Sequence, residues 1–183
     1  MRADLGQRIT VIGVTSSGKT TVAARLSQIL GLPHVELDSL YWNAGWTPTP
    51  KEIFCDRVAK TLSGDAWVTD GNYSIARRYT WGWANTLVWL DYPLPVILWQ
   101  LTKRTLQRIL TKEELWNDNR ETWKGAFFDK DSLFLFAIQS QKQHRKTFPE
   151  AFRQPEYAHL KVVHLRSRRE TNQWLSELAK SGG

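Results

Sequence analysis

Short, continuously apolar runs are spaced along most of the chain, with longer amphipathic stretches between them. Strands of a parallel sheet that is covered on both faces have this pattern, so the runs predict buried β-strands. Five predicted strands lie at residues 8–12, 33–37, 66–69, 86–90 and 160–165. Because they alternate with helical segments, they favour βαβ units and a parallel sheet.

Apolar residues at helical spacing, or capping signals, mark the stretches between the strands. The predicted helical segments are residues 18–30, 50–62, 93–110, 111–125, 131–146 and 167–178. The interval between residues 110 and 160 contains helical segments and no predicted strand. We therefore expect a single domain over residues 1–183, with a lid insertion at residues 110–130.

Capping boxes predict where three of these helices begin, and the one at Thr111 and Glu114 opens the segment 111–125. Thr49 and Glu52 have the required spacing, with Pro50 at the predicted first helical position. Proline suits that position because its missing N–H would have no intrahelical partner there. Ser167 and Glu170 have the same spacing at the start of the last helix.

Residues 13–20, GVTSSGKT, match the pattern G-x-x-x-x-G-K-[S/T] at every fixed position. The glycines let backbone N–H groups wrap around phosphates, and the N-terminus of the following helix adds its positive dipole. We predict that Lys19 reaches the β- and γ-phosphates of ATP and that the Thr20 hydroxyl binds Mg²⁺. The alternative is a glycine-rich turn that binds no ligand. The predicted nucleotide-binding residues are Gly13, Thr15, Ser16, Ser17, Gly18, Lys19, Thr20 and Thr21.

Three aspartates follow predicted strands, where an open parallel sheet binds its ligands. A magnesium–phosphate site needs a carboxylate near the ion, and a kinase needs one to orient the acceptor hydroxyl. We predict Asp70 as the metal partner; Asp91 has a similar setting and is equally suited to capping the helix after it. Asp38 is predicted to face the acceptor, with a turn or helix-cap role as the alternative.

The composition narrows the class of protein. Its 42% apolar and 23% charged residues exclude a disordered chain. The longest strongly apolar stretch, residues 87–101, is interrupted by Asp91, Pro93 and Pro95, and no stretch reaches the ~20 residues that span a bilayer. The single cysteine, Cys55, suits a reducing compartment. We therefore expect a soluble, cytoplasmic protein without a secretory leader or membrane contact.

Positive charge is concentrated in the second half of the chain. Residues 101–183 carry 16 Lys+Arg and 10 Asp+Glu, a net charge of +6, whereas residues 1–100 carry 9 and 8, a net charge of +1. Such an excess is compatible with nucleic acid or with a site for several phosphates. The basic residues are spread among acids without a run of five or six, which favours the phosphate site.

Four segments in a fixed order resemble one protein family. Together they are similar to segments of the adenylate-kinase-related proteins often labelled DNA topology modulation proteins. The four segments are the phosphate loop, LDSLYWNAGW, WVTDGNYS and LVWLDYP. The resemblance covers most of the chain to about residue 108 and again the last strand and helix. It implies ATP binding and an α/β, three-layer P-loop NTPase fold of the nucleoside-monophosphate-kinase type. Such a fold has a five-stranded parallel sheet in the order 2-3-1-4-5, flanked by helices, and a helical lid.

The resemblance also extends to single residues. Asp70 and Gly71 resemble the D-G of the adenylate-kinase D-G-F-P-R segment, whereas the residues after them differ. The arginine that this segment places near the acceptor phosphate is absent at the matching position, so Arg77 or Arg78 is a loose substitute.

Arg104 and Arg108 resemble the arginines on the helix that enters the lid, and their spacing of four places them on one helix face. Arg120 lies in the expected lid and is a third candidate. Such arginines can neutralise the charge of a transferring phosphoryl group. The alternative for all three is a solvated basic face.

Tyr41, Trp42 and Trp46 lie in a predicted loop after Asp38. Loop aromatics often line binding pockets, so these three are candidates for the wall of the acceptor site. A hydrophobic staple onto the next helix is an equal alternative. Arg166 is expected on the surface, and the four histidines, which lack metal-ligand spacing, are assigned no role.

Our leading hypothesis is an ATP- and Mg²⁺-dependent kinase with a small acceptor. In this hypothesis the metal is held by Thr20 and Asp70. The catalytic residues are Lys19, Asp38, Arg104 and Arg108. The predicted acceptor-binding residues are Asp38, Tyr41, Trp42, Trp46, Gly71, Arg77 and Arg78. The alternative is a nucleotide-dependent regulator or DNA-associated protein without kinase activity. The sequence predicts neither the acceptor nor the oligomeric state.

Overall fold

A computed structural model describes the backbone of residues 5–111 and 133–181 and the side chains of residues 5–107 and 133–180. Its main sheet contains five parallel strands, in the spatial order β2-β5-β1-β6-β7. Counted within this sheet alone, the order is 2-3-1-4-5, so the expected sheet is confirmed. The strands are β1 Arg8–Gly13, β2 His34–Glu36, β5 Trp67–Asp70, β6 Thr86–Leu90 and β7 Lys161–Leu165.

A small antiparallel hairpin lies outside this sheet. Its strands are β3 Trp42–Asn43 and β4 Thr47–Pro48. The described helices are α1 Lys19–Leu30, α2 Leu37–Tyr41, α3 Lys51–Thr61, α4 Arg77–Thr80, α5 Leu94–Thr111, α6 Leu133–Phe152 and α7 Arg168–Ser181.

Helices cover both faces of the sheet because successive strand residues point to opposite sides. On β1, Val11 packs into a cluster with residues of α1, α5 and α7, whereas its neighbour Ile12 packs with α6 on the other face. Both side chains are fully buried. Trp67 of β5 packs against α3 in a third cluster. The α/β three-layer architecture is therefore confirmed.

The register of the strands brings the phosphate loop and two of the predicted aspartates to one edge. Val11 pairs with Asp70, and Gly13 pairs with Leu90, which immediately precedes Asp91. Parallel strands end at the same side, so residues from three distant parts of the sequence meet at the carboxyl edge of the sheet.

The predicted capping box at Thr49 is wrong. Its helix begins at Lys51 with Pro50 at the cap position, and no side chain caps it. Thr49 is buried instead, where its hydroxyl donates to the carbonyl oxygen of Leu40. The box at Ser167 is confirmed, because the Ser167 hydroxyl accepts from the N–H of the glutamate three positions on.

Two further boundaries differ from the sequence prediction. The helix predicted at residues 131–146 continues to Phe152 through Pro149. Phe148 and Ala151 are buried in the core beside Trp81, and this packing stabilises the turns around the proline. The segment after Asp38, predicted as a loop, forms α2 and the hairpin. The predicted lid at 110–130 lies outside the described residues except for its first two positions.

Candidate active site

The loop between β1 and α1 has the conformation of a phosphate cradle. Ser16 and Gly18 have positive φ angles, 59° and 86°, a left-handed backbone conformation that occurs in anion-binding loops. Gly18 stands at the N-cap of α1, whose free N–H groups favour an anion there. The hydroxyl oxygens of Ser16 and Ser17 are enclosed, and neither has a hydrogen-bond partner among the described residues.

Gly13 is required at the start of this loop for a steric reason. A Cβ at this position would lie 2.6 Å from Ser17 Oγ and 2.8 Å from the carbonyl oxygen of Leu90. Both distances are far below van der Waals contact. Any side chain would therefore displace the loop or the neighbouring strand β6.

Lys19 begins α1 and reaches back over the loop, where its Nζ donates to the Val14 carbonyl oxygen at 3.1 Å. Burial lowers the pKa of Lys19. Asp38 and Asp70 oppose this shift, and Arg104 adds to it. These charged side chains therefore lie close enough to the ammonium group to influence its pKa.

Thr20 and Asp70 are in direct contact. The Thr20 hydroxyl donates to Asp70 Oδ2 at 2.7 Å, and the other carboxylate oxygen is 2.8 Å from His34 Nε2. Asp70 itself is buried. A hydroxyl beside a carboxylate, next to an anion cradle, fits a Mg²⁺ ion that also binds phosphate oxygens. Within the described part of the chain, no cluster of three or more His, Cys, Asp or Glu side chains could hold a metal by itself.

Asp91 has different partners. Its carboxylate is 2.6 Å from Arg145 Nε and 3.1 Å from His164 Nε2. The imidazole of His164 is in turn stacked on Trp89, with ring centroids 4.1 Å apart. The structure therefore joins Asp70 to the phosphate loop, and it joins Asp91 to α6 and β7.

The segment Asp70–Tyr73 connects the phosphate loop to Asp38. Asn72 forms a reciprocal pair with Gly13: its Oδ1 accepts from the Gly13 N–H at 3.2 Å, and its Nδ2 donates to the Gly13 carbonyl oxygen. The next residue, Tyr73, donates its hydroxyl to Asp38 Oδ1 at 2.5 Å. Burial and the adjacent Asp38 carboxylate raise the pKa of Tyr73 far above its ordinary value, so the hydroxyl stays protonated and remains a donor.

The aromatic residues after Asp38 have two kinds of neighbours. Tyr41 packs against Phe54 of α3 and against Tyr73, with ring centroids 5.1 and 4.5 Å apart. Trp42 and Trp46 pack edge to face on each other and are partly exposed. Tyr41 therefore joins the following helix to the Asp38 region, which combines features of both sequence alternatives.

The predicted arginines are placed differently from one another. Among the predicted arginines whose side chains the structure describes, Arg104, on α5, acts by its charge on Lys19. Arg77 is half-buried with its guanidinium 4.2 Å from the ring centre of Trp81, whereas Arg78 is exposed and stacks on Tyr79. The side chain of Arg108 and the whole of Arg120 lie outside the described residues. Gly71 is buried against Leu37, and Arg166 is exposed as expected.

Sequence reasoning assigned no role to several residues that the structure places at or beside this site: His34, Asn72, Tyr73 and His144. His144 is partly buried on α6, and its Nδ1 is enclosed without a hydrogen-bond partner among the described residues. Burial, Lys19 and Arg77 together lower the pKa of His144 from 6.5 to about 4. No local pattern identifies such a residue, because its neighbours come from distant parts of the chain.

The depressed pKa of His144 predicts a pH dependence of stability. Between pH 6.5 and about 4, the unfolded chain binds a proton at this residue and the folded chain does not, so the free energy of unfolding falls as the pH is lowered through this range. The shift corresponds to roughly 3 kcal/mol at most. In urea titrations at pH 4 and pH 7, the wild type should therefore lose more stability than a His144→Phe variant. Equal losses would contradict the prediction.

Comparisons with known proteins agree with this architecture. No family model matches the chain. Shikimate kinases from Synechococcus elongatus and from a further Synechococcus strain are 25% identical over 142 residues, which cover 66% of this chain and 75% of theirs.

Solved structures show the same arrangement of strands and helices over nearly the whole chain. A shikimate kinase from Acinetobacter baumannii in complex with shikimate has a TM-score of 0.58 at 14% identity, covering 97% of this chain and 93% of its own. A gluconokinase from Sinorhizobium meliloti has a TM-score of 0.53 at 16% identity, covering 97% and 95%. This chain has a P-loop-kinase-like fold. In the described parts of that fold, no helix has the length and apolar character needed to cross a membrane.

Proposed function

We propose that this protein is a kinase that transfers the γ-phosphoryl group of ATP to a hydroxyl group of a small acceptor and requires Mg²⁺. The observation that carries the proposal is the contact of the Thr20 hydroxyl with Asp70 beside the phosphate loop, over which Lys19 reaches; Asp38 and Arg104 act on Lys19 by their charge. Phosphoryl transfer is catalysed mainly by positioning and by neutralising charge, and this site has groups for both.

On the nucleotide side, the backbone of residues 13–20 binds the phosphates and Lys19 contacts the β- and γ-phosphoryl oxygens. The enclosed Ser17 hydroxyl and the positive φ angles of the loop support this assignment. Thr20 and Asp70 hold the metal, directly or through its water ligands. When bound, Mg²⁺ neutralises charge on the phosphate oxygens.

On the acceptor side, Asp38 orients the acceptor hydroxyl and receives its proton. The Tyr73 hydroxyl occupies one carboxylate oxygen of Asp38, and this fixes the direction of the other. Arg104 stabilises the negative charge of the transferring group, and Arg108 and Arg120 are proposed to join it. Our proposed acceptor-binding residues, besides Asp38, remain Tyr41, Trp42, Trp46, Gly71, Arg77 and Arg78.

ADP release from Mg·ATP, measured across a panel of acceptors, tests the proposal. The panel contains shikimate and gluconate, which the names of the relatives suggest, together with nucleosides, nucleoside monophosphates, sugars and amino alcohols. We expect one acceptor class to stimulate ADP release in the wild type and not in Lys19→Ala. Stimulation that persists in Lys19→Ala would contradict the proposal.

ATP binding without stimulation by any acceptor would instead favour the nucleotide-dependent regulator. A DNA-associated regulator should bind duplex DNA with a steep salt dependence, because phosphate contacts release counterions. Membership of the topology modulation proteins and a cytoplasmic location stay predictions from the sequence.

The two strand-end aspartates should differ in their effect on metal dependence. Asp70→Asn weakens the metal site next to Thr20, so we expect the Mg²⁺ concentration for half-maximal activity to rise about tenfold or more, as for loss of one ligand-shell group. Asp91→Asn is the matched control, because its partners are Arg145 and His164, and it should leave that concentration unchanged. A magnesium titration with ATP held constant measures both. The prediction is wrong if the Asp91 variant shows the larger shift.

A further inference from the structure

His144 is a partly buried histidine on the inner face of α6. The buried residues of this helix are apolar Ala137, Phe148 and Ala151 and polar Ser140 and Gln141, and the Gln141 amide donates to the Tyr92 carbonyl oxygen at 2.7 Å. The enclosed Nδ1 of His144 has no such partner among the described residues. A buried polar atom without a partner is costly, so its presence needs a reason.

Two contacts fix α6 at the same edge of the sheet as the phosphate loop. Gln141 binds the backbone of Tyr92, and Arg145 binds the carboxylate of Asp91. Both partners directly follow Leu90, the residue that pairs with Gly13. His144 lies between Gln141 and Arg145 in the sequence, and its ring is close enough to Lys19 for the ammonium charge to act on it.

A column of aromatic rings sets the orientation of His144 and of Arg77. The imidazole lies nearly parallel to the ring of Phe148, with centroids 4.3 Å apart and planes at 14°. Phe148 packs edge to face on Trp81 at 5.5 Å, and the guanidinium of Arg77 lies over Trp81. The column therefore links the imidazole to the guanidinium through two aromatic rings, and the charge of Arg77 also acts on His144.

The environment determines what this imidazole can bind. Because it is uncharged at neutral pH, it has one N–H donor and one acceptor nitrogen. A pKa of about 4 makes it a weak base, so it is unsuited to removing the acceptor proton. A hydroxyl group, which both donates and accepts, matches it. The charges of Lys19 and Arg77 both act on this imidazole, so they disfavour an ammonium group directly beside it.

We propose that His144 is an acceptor-binding residue whose imidazole hydrogen-bonds a hydroxyl group of the acceptor other than the one that is phosphorylated. The acceptor is then a polyhydroxylated compound with no ammonium group beside that hydroxyl. This inference rests on the proposed function and names a substrate class for the same site.

Calorimetric binding titrations with four probes test this inference: shikimate, gluconate, myo-inositol and the cationic polyol kanamycin. We expect at least one of the first three to bind the wild type and kanamycin not to bind. His144→Phe keeps a ring for stacking on Phe148 and removes both nitrogens, so it should weaken binding of that probe about tenfold, as for one lost hydrogen bond. His144→Asn or His144→Gln should restore part of the affinity, because each returns a polar atom near one ring nitrogen.

The control is His159→Phe, which changes an exposed histidine in a turn away from α6. It should bind the probe like the wild type. Equal binding by wild type and His144→Phe would overturn the inference, as would binding of kanamycin alone or of none of the four probes. Equal weakening in both phenylalanine variants would also overturn it, since the effect would then not be specific to position 144.

Turnover separates failure of this inference from failure of the proposed function. With a probe that is phosphorylated, His144→Phe should raise the KM for that probe about tenfold, as for the same lost hydrogen bond, and change the KM for ATP much less. A probe that binds through His144 but is never phosphorylated would contradict the kinase and support the subsite. A probe phosphorylated with the same KM by both proteins would support the kinase and overturn the subsite.

Discussion

Replacing Lys19 with alanine is expected to lower acceptor-dependent ADP release by about 10²- to 10³-fold, the usual cost of removing one group that stabilises transition-state charge. The ammonium donates to the carbonyl oxygen of Val14 over the loop, and burial lowers the pKa of Lys19. Because burial disfavours this ammonium charge in the free protein, the approach of negative phosphate oxygens stabilises it strongly. The variant should therefore lose nucleotide affinity as well as turnover.

The loss of activity in Lys19→Ala should not be accompanied by a loss of fold stability. Because burial disfavours the charged form of Lys19, its loss is not expected to lower the melting temperature. Lys60→Ala, which changes an exposed lysine on α3, is the matched control and should keep full activity. Coupled measurement of ADP release together with thermal melting checks both points. A Lys19→Ala variant that is folded and fully active would exclude the phosphate loop from the reaction.

Asp38→Asn is expected to lower kcat by about 10²- to 10⁴-fold, the range for loss of a general acid–base group. Asparagine has nearly the same shape, and its Oδ1 can still accept the hydrogen bond from Tyr73. The substitution therefore removes the negative charge and leaves the packing in place. The KM for ATP should change much less than kcat, because Asp38 is assigned to the acceptor.

Two further variants test whether the loss of kcat in Asp38→Asn comes from the carboxylate at position 38 itself. Asp56→Asn changes an exposed aspartate on α3 and should behave like the wild type. Tyr73→Phe keeps Asp38 charged but removes the hydroxyl that orients it, so a loss of about tenfold is expected, as for one hydrogen bond to a charged group. Steady-state kinetics with both substrates varied distinguishes these cases. A kcat of Asp38→Asn within about threefold of the wild type would rule out acid–base catalysis at this position.

Patterns among residues that are close in the sequence were sufficient to predict the elements whose conformation depends on those residues. The phosphate loop, α1 and the last helix follow from a motif, a strand and a capping box that are contiguous in the chain. The strand order came from the resemblance of four segments to a family with a known fold. The hairpin at 42–48 was missed because its strands have two residues each, and Gly45 and Trp46, both at positive φ, turn the chain between them.

Long-range contacts explain what the sequence did not predict at the site. His34 and Asp70 are 36 residues apart, and Asn72 and Gly13 are 59 apart, so no local pattern links them. Thr49 has capping-box spacing, but its hydroxyl bonds Leu40, nine residues before it. His144 is one of four scattered histidines until the fold places it near Lys19 and Arg77.

The pair formed by Asn72 and Tyr73 has a mechanical consequence. Asn72 hydrogen-bonds both the N–H and the carbonyl oxygen of Gly13, and the next residue, Tyr73, hydrogen-bonds Asp38. The phosphate loop and the acceptor carboxylate are therefore connected through two adjacent residues. These contacts tie the two parts of the site to each other. Acceptor preference can consequently change through the outer hairpin at 42–48 without loosening the grip on the nucleotide.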